Sequence, residues 1–365
     1  MPDRLRLFPV SRTHLEALTD GIGIAQHATG ARPDLSHGYC VDDVARALQV
    51  DLLHARRLGW QAVSETAWRS LAFLTAALDE ETGRFRNVRH ASGAWADGAG
   101  SQDSHGRAIH ALGDAVAAAP TTSFREAALA PFASALPAAE GLSAIRARAS
   151  VALGCDAAIR SGVRGPVART YRVVFEGLRR DVMPCSTSSW RWPGPEVTYE
   201  TALVPRALIV AGQAHGDPDA VAAGLRVLDW LIDVATAPDG HLSPVGNGWW
   251  REGAERSRYD QQPIEATSIL LAAEVALEAT GDARYRTAMG SAYAWFLGRN
   301  DGGITIADVV RGASRDGLTP TGPNLNEGAE STLMWLTALE HMRDHEAAPT
   351  RRPAATRTPG ALVRP

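Results

Sequence analysis

The chain has 365 residues, 45% of them apolar, and a formal net charge of −4. That length holds one large domain or two ordinary ones with a sizeable core, and the small net charge supplies no global field for nucleic acid. All 37 basic residues are Arg, which excludes a Schiff-base lysine, a pyridoxal anchor and a P-loop lysine.

The hydrophobic spacing predicts twelve helices and no strand. The first runs from Ser11, an N-cap, through Leu15, Leu18, Ile22 and Ala25. The second begins near Asp42 with Val44, Ala47, Leu48 and Leu52 on one face. The third follows Ser64, the fourth starts near Ser104, the fifth follows Ser123 and the sixth starts near Leu142. The seventh covers Val167 to about Arg180, and the eighth starts near Tyr199. The ninth follows Asp217-Pro218, a cap with Pro at the first helical position. The tenth starts around Pro263 and stops at Gly281. The eleventh begins at Asp282 and the twelfth opens at Gly328. The Pro-, Arg- and Ala-rich stretch 347–365 has no periodicity and is expected to be disordered, leaving one domain over 1–346.

The connections alternate in length. Those entering even-numbered helices are mostly long (29–41, 80–103, 182–198, 236–262 and 299–327), and those leaving them are mostly short. Consecutive helices run antiparallel across short connections, so the long loops fall on one side. Paired helices with all long loops on one face, and even helices richer in Ala and Gly, fit an all-α (α/α)6 toroid of six inner and six outer helices. The competing architecture, a solenoid of helical hairpins, needs a fixed repeat that this chain lacks.

Five polar turns precede helices: Ser36-His37-Gly38-Tyr39-Cys40-Val41-Asp42-Asp43, Asp103-Ser104-His105-Gly106-Arg107, Glu196-Val197-Thr198-Tyr199-Glu200, Asp260-Gln261-Gln262-Pro263-Ile264-Glu265 and Asn326-Glu327-Gly328-Ala329-Glu330. An acid at a helix N-terminus caps free N–H groups and suits the dipole. Capping suffices for Asp217 and Asp282, and could suffice for Asp103. It does not explain the company of His37, Tyr39, His105, Arg107, Tyr199, Gln261, Gln262 and Asn326 on the same face. Trp95, Trp190, Trp192, Trp249 and Trp250 fall in loops, either as platforms for sugar rings or as plugs on the rim.

Carboxylates and aromatic loops over a helical ring suggest carbohydrate chemistry. Glycoside cleavage uses a protonated and an ionised carboxyl, roughly 5–9.5 Å apart. Asp42 and Asp43 diverge by about 100° on a helix, so their partners are expected in other turns. The three Cys (Cys40, Cys155, Cys185) form no CxxC. They give no zinc set, and no spacing demands a metal or a cofactor. The N-terminus lacks a signal-peptide core and no apolar run reaches the ~20 residues of a membrane span. A cytoplasmic location is the expectation.

The stretches 36–48, 103–113, 196–212, 260–266 and 324–333 resemble bacterial (α/α)6 domains described as glycosidase-like or glycosyltransferase-associated. The shared motifs are His-Gly-Tyr-Cys-x-Asp-Asp-x-Ala-Arg-Ala, Asp-Gln-Gln-Pro-Ile-Glu-Ala and Asn-x-Gly-Ala-Glu-Ser-Thr. The resemblance implies the toroid, an oligosaccharide or glycoside ligand, and association with a glycosyltransferase or glycoside phosphorylase. This chain has no nucleotide-sugar-binding half, so a transferase activity is not inherited. The resemblance and the helix-mouth positions nominate Asp43, Glu265, Asp103, Glu196 and Glu330 as catalytic. They nominate His37, Tyr39, Asp42, His105, Arg107, Trp192, Tyr199, Trp249, Trp250, Asp260, Gln261, Gln262, Asn326 and Glu327 as substrate-binding.

The leading expectation is a glycoside hydrolase. The alternatives are a sugar epimerase with His37 and His105 as proton-transfer bases, and a glycan-binding domain without turnover. A terpene-cyclase-like toroid fits poorly, because Arg46 stands where a third metal-binding acid would.

Overall fold

The computed structural model describes residues 6–96 and 98–347. The tail expected to be disordered lies outside them from residue 348 onward. Twelve α-helices are present among the described residues. They are α1 (Thr13–Leu18), α2 (Val41–Leu58), α3 (Ser64–Ala77), α4 (Gln102–Ala118), α5 (Thr122–Ala139), α6 (Ile145–Arg160), α7 (Pro166–Val182), α8 (Leu203–His215), α9 (Pro218–Val234), α10 (Pro263–Thr280), α11 (Ala283–Phe296) and α12 (Ala329–Ala347).

The even helices pack α2–α4–α6–α8–α10–α12 and back onto α2, closing a ring, and the odd helices pack outside them. This is the (α/α)6 toroid. Burial separates the two rings. Outer α7 buries one stripe, Val167, Thr170, Tyr171, Val174, Phe175 and Leu178, the i, i+3, i+4 spacing of an amphipathic helix. Inner α10 is buried almost all round, from Pro263 to Ala273. Its N-terminus has no side-chain cap. A cap contributes about 1 kcal/mol, whereas each buried Leu or Ile side chain contributes about 1.5–3 kcal/mol. Burial therefore places α10.

Inner packing is closest between α4 and α6. A Cβ on Gly113 would lie 2.2 Å from the Gly154 carbonyl oxygen, so the two backbones touch.

Two helical expectations are corrected. The first helix is only Thr13–Leu18 and its N-cap is Arg12, with no side-chain cap from Ser11. The chain leaves it at an extended Thr19, and the Asp20 carboxylate accepts from the N–H groups of Ile22 and Gly23 in a tight turn. That side-chain bond competes with the helix, so Ile22 and Ala25 lie beyond it. The eighth helix starts at Leu203 rather than near Tyr199, because Glu200 has φ +49 and breaks the turn.

The absence of strands is corrected as well. The loops carry β1 (His27–Thr29) with β2 (Arg32–Asp34), β3 (Tyr39–Cys40) with β4 (Val88–Arg89), β5 (Glu196–Val197) with β6 (Trp250–Arg251), β7 (Ala307–Asp308) with β8 (Ala313–Ser314), and β9 (Gly317–Thr319) with β10 (Gly322–Asn324), all antiparallel. The β3–β4 and β5–β6 pairs join loops entering successive inner helices. A bridge between Gln261 and Leu318 joins two more. The long loops thus form one connected rim over the N-terminal mouths of the inner helices.

Candidate active site

The rim encloses a cavity of about 370 Å³ above the inner-helix N-termini. Asp42, Asp43, Asp260, Asp316 and Glu330 line it, with Arg46 as the lining Arg and His27 as the lining His. Gln26, Asn247, Gln262, Asn324 and Ser331 add polar groups.

The start of α2 sets the floor. Gly38 has φ +69, and a Cβ there would meet the Arg89 carbonyl oxygen at 2.3 Å. Only glycine lets β3 turn beside β4 here. Cys40 is the N-cap, its sulfur accepting from Asp43 N–H, while its thiol lies 3.0 Å from Asp43 Oδ2. Asp43 Oδ1 accepts from Arg46 at 2.8 Å. The same guanidinium donates to the Tyr199 hydroxyl at 2.8 Å and pairs with Glu330 at 3.0 Å. Tyr199 donates a short hydrogen bond to Glu330. Burial pushes the Asp43 carboxyl up to about 6, against the Arg46 charge that lowers it.

Asp42 faces differently. Its side chain is about a quarter exposed, and Arg107 Nε stands 3.6 Å away, beyond hydrogen-bond length. Its Oδ1 is buried with no hydrogen-bond partner. Burial raises its carboxyl above the usual range, opposed by Arg107 and Arg46. Arg107 is held by Glu200 at 2.5 Å, and its guanidinium lies 5.5 Å from the centre of the Tyr199 ring. Among the described residues two that are not glycine have positive φ, Glu200 (+49) and Trp249 (+63), and both sit on this rim. Such strain concentrates at functional sites.

Several nominated residues lie elsewhere. Glu265 is buried behind the cavity and accepts from Glu200 N–H, Thr201 N–H and the Thr201 hydroxyl. Burial pushes its carboxyl up to about 7, against those bonds. Asp103 pairs with Arg146 at 3.1 Å, and the cap of α4 is Ser101 instead. Glu196 pairs with Arg251 on the outer rim. Glu327 is buried against Arg311, and Asn326 accepts from Gly30 N–H. Gln261 is consumed by Asp301, Arg258 and Trp295. Tyr39 is buried and donates to Asp20. Trp192 is buried, and Trp250 stacks 5.4 Å from Trp230, so both plug the rim, whereas Trp249 keeps 44% of its surface open.

The two histidines expected as a pair are apart. His105 is fully buried against Phe85, and burial drives its ring down to about 3. His37 is exposed on the rim, its ring 4.4 Å from that of His27. His27, Gln26, Asp316, Asn247 and Asn324 were not anticipated. They come from β1, β10 and other loop positions where no periodicity marks them. Among the described residues no three His, Cys, Asp or Glu side chains gather as a metal's ligands would. No described helix is long and apolar enough to cross a membrane.

No protein-family model matches the chain. No curated protein matches it either. Solved structures do. A sugar epimerase from a ruminal bacterium superposes with TM-score 0.70 at 15% identity, over 89% of this chain and 94% of that one. Cellobiose 2-epimerase from Spirochaeta thermophila gives 0.68 at 15%, over 90% and 92%. A GH76 α-mannanase from Bacteroides thetaiotaomicron gives 0.65 at 11%, over 91% and 94%. At these identities the likeness is one of fold, the (α/α)6 toroid.

Proposed function

We propose that the chain is a carbohydrate-active enzyme that hydrolyses glycosidic bonds. The supporting observation is the cavity itself: five carboxylates line it, and one of them, Asp42, keeps about a quarter of its side chain open, with Arg107 standing 3.6 Å away, beyond hydrogen-bond length. A carboxyl raised by burial and open to the cavity suits a proton donor to a leaving glycosidic oxygen. Glu330, held by Arg46 and Tyr199, is its partner carboxylate. It serves as base toward a water or as nucleophile toward the sugar. Asp43 fixes Arg46 beneath the two, and Trp249 offers an open ring face to a sugar beyond the cavity.

This assignment moves the acid from Asp43 to its neighbour and leaves Glu265 as a positioning group for the Glu200–Thr201 turn. The deciding experiment is product analysis of manno-, gluco- and galacto-oligosaccharides incubated with the protein. Release of sugar with a defined first anomer supports the reading. No cleavage of any glycoside, with binding of one intact, overturns it in favour of a glycan-binding domain.

Epimerisation is the second reading, because His27 lies in the same cavity and structural neighbours include epimerases. Deuterium from solvent entering a free reducing sugar would select it over hydrolysis.

The substrate association with a glycosyltransferase or phosphorylase, drawn from the sequence resemblance, is part of this proposal. Co-purification of the chain with such a partner tests it.

A further inference from the structure

The inner ring encloses a second cavity, of about 270 Å³, that the sugar-site reading leaves unused. It lies beneath the Arg46–Arg107 layer and extends to the exposed Arg56 in the last turn of α2. Its volume falls below the roughly 300 Å³ at which drug-sized ligand pockets begin, so its occupant is small.

The charges around it do not all pair. Arg46 is matched by Asp43 and Glu330, Arg107 by Glu200 and Arg56 by Asp344. Arg206 of α8 also lines the cavity, and among the described residues no carboxylate reaches it within 4 Å. Its Nε is buried with no hydrogen-bond partner. Asp114, Glu274 and Glu200 answer its charge from beyond ion-pair distance, which leaves its contact positions toward the cavity open to an anion. The Ser268 hydroxyl, on the neighbouring inner helix α10, is buried and unpartnered beside the same space. Nearby Glu274 already has His341 at 2.6 Å.

Asp114 of α4 completes the set. It accepts from Gln49 at 2.7 Å and stands 3.6 Å from His110 Nε2. Burial pushes the His110 ring toward its neutral form, and Gln49 and His110 both meet the same Asp114 oxygen, Oδ2, so Asp114 has room to accept another hydrogen bond at the cavity. The occupant therefore needs acceptor oxygens for Arg206 and Ser268 and a proton to donate to Asp114.

We propose that this cavity binds a phosphate group in its hydrogen-bearing form, with oxygens on Arg206 and the P–OH directed at Asp114. Planar guanidinium forks match phosphate oxygens. Sulfate, with no proton at neutral pH, meets Asp114 only as a repulsion. This inference stands apart from the sugar-site reading and does not rest on it.

The test is calorimetric titration of the full chain with inorganic phosphate and with sulfate, at ionic strength matched by chloride. The expected result is saturable phosphate binding and at least tenfold weaker sulfate binding. Arg206→Met should abolish it while leaving the melting temperature in phosphate-free buffer no lower than wild type. Asp114→Asn should narrow the preference for phosphate over sulfate. A monosaccharide phosphate arm identifies the source: competition with inorganic phosphate, lost in Arg206→Met, points to a phosphate ester. Equal heats for wild type and Arg206→Met, or equal affinity for the two anions, overturn the proposal. Should Arg206→Met not fold, Ser268→Ala and Asp114→Asn carry the same comparison.

Discussion

Asp42 and Asp43 share a helical turn but not an environment. Asp43 is tied to Arg46 and Cys40, while Asp42 is a quarter exposed and faces Arg107 across 3.6 Å without a hydrogen bond. Asp42→Asn and Glu330→Gln should each lower kcat about 10²–10⁴-fold on the substrate found by product analysis, the range for a lost proton-transfer group. Circular dichroism should show both variants folded, and near-wild-type turnover in either would remove it from the mechanism. Asp43 makes a different prediction. Its carboxyl titrates near 3.8 unfolded and about 6 folded. Below both values the two states are equally protonated. Between them the unfolded chain ionises first, so stability falls as pH rises, and above about 6 the loss is complete. Urea unfolding from pH 3 to 8 should show Asp43→Asn removing a pH-dependent change in stability on the order of 3 kcal/mol; an unchanged slope would contradict it. The sequence marks polar residues at helix mouths, and it marked Asp42, Asp43, Asp260, Gln262 and Glu330 that line the cavity. It does not reveal which polar groups already have donors behind them. Glu265, Gln261 and Glu327 look like site residues in a motif and are spent on the backbone and on buried partners.

At the scale of elements, the long helices were legible because burial repeats at 3.6 residues and because Asp217, Asp282 and Gly281 mark ends that the structure keeps. The ten strands were not, since runs of two or three residues cannot display alternation. Their pairing is set by helices far away in sequence, as with Val197 opposite Trp250. The α4–α6 contact gives a sharper prediction. Gly113→Ala places a methyl against the Gly154 backbone, which no rotamer can relieve. Destabilisation should reach the upper end of the roughly 1–3 kcal/mol overpacking range. Gly21→Ala, whose Cβ meets nothing within 4 Å, is the control and should be close to neutral. Equal denaturation midpoints for the two would show that α4 and α6 can slide apart.

At the scale of the molecule, the closed ring distinguishes this chain from a solenoid. The seam is α12 against α2, where Arg57 holds the buried Glu340 at 2.6 Å and Asp344 at 2.7 Å. Arg57→Ala leaves Glu340 buried without its cation and should cost about 3–5 kcal/mol. Deleting 283–347 removes α11 and α12 and opens the inner faces of α2 and α10 together. A solenoid losing an end hairpin keeps a cooperative remainder. Here urea unfolding of the truncated chain should lose its sharp transition, and retention of one would mean that ring closure contributes little.

Three inner helices, α2, α10 and α12, present their N-terminal ends to one small volume, and each end carries about half a positive charge from its unpaired N–H groups. Asp42 and Asp43 in the first turn of α2, and Glu330 in the first turn of α12, sit in that field. The field belongs to the backbone and outlasts any one side chain. When Asp42 is cut back to Ala, the vacated space still attracts negative charge. Formate or azide should settle there and restore part of the lost turnover to the truncated protein, while leaving Asp42→Asn, whose amide fills the space, unaided. The ring thus holds a memory of where its acid stood, written in peptide dipoles.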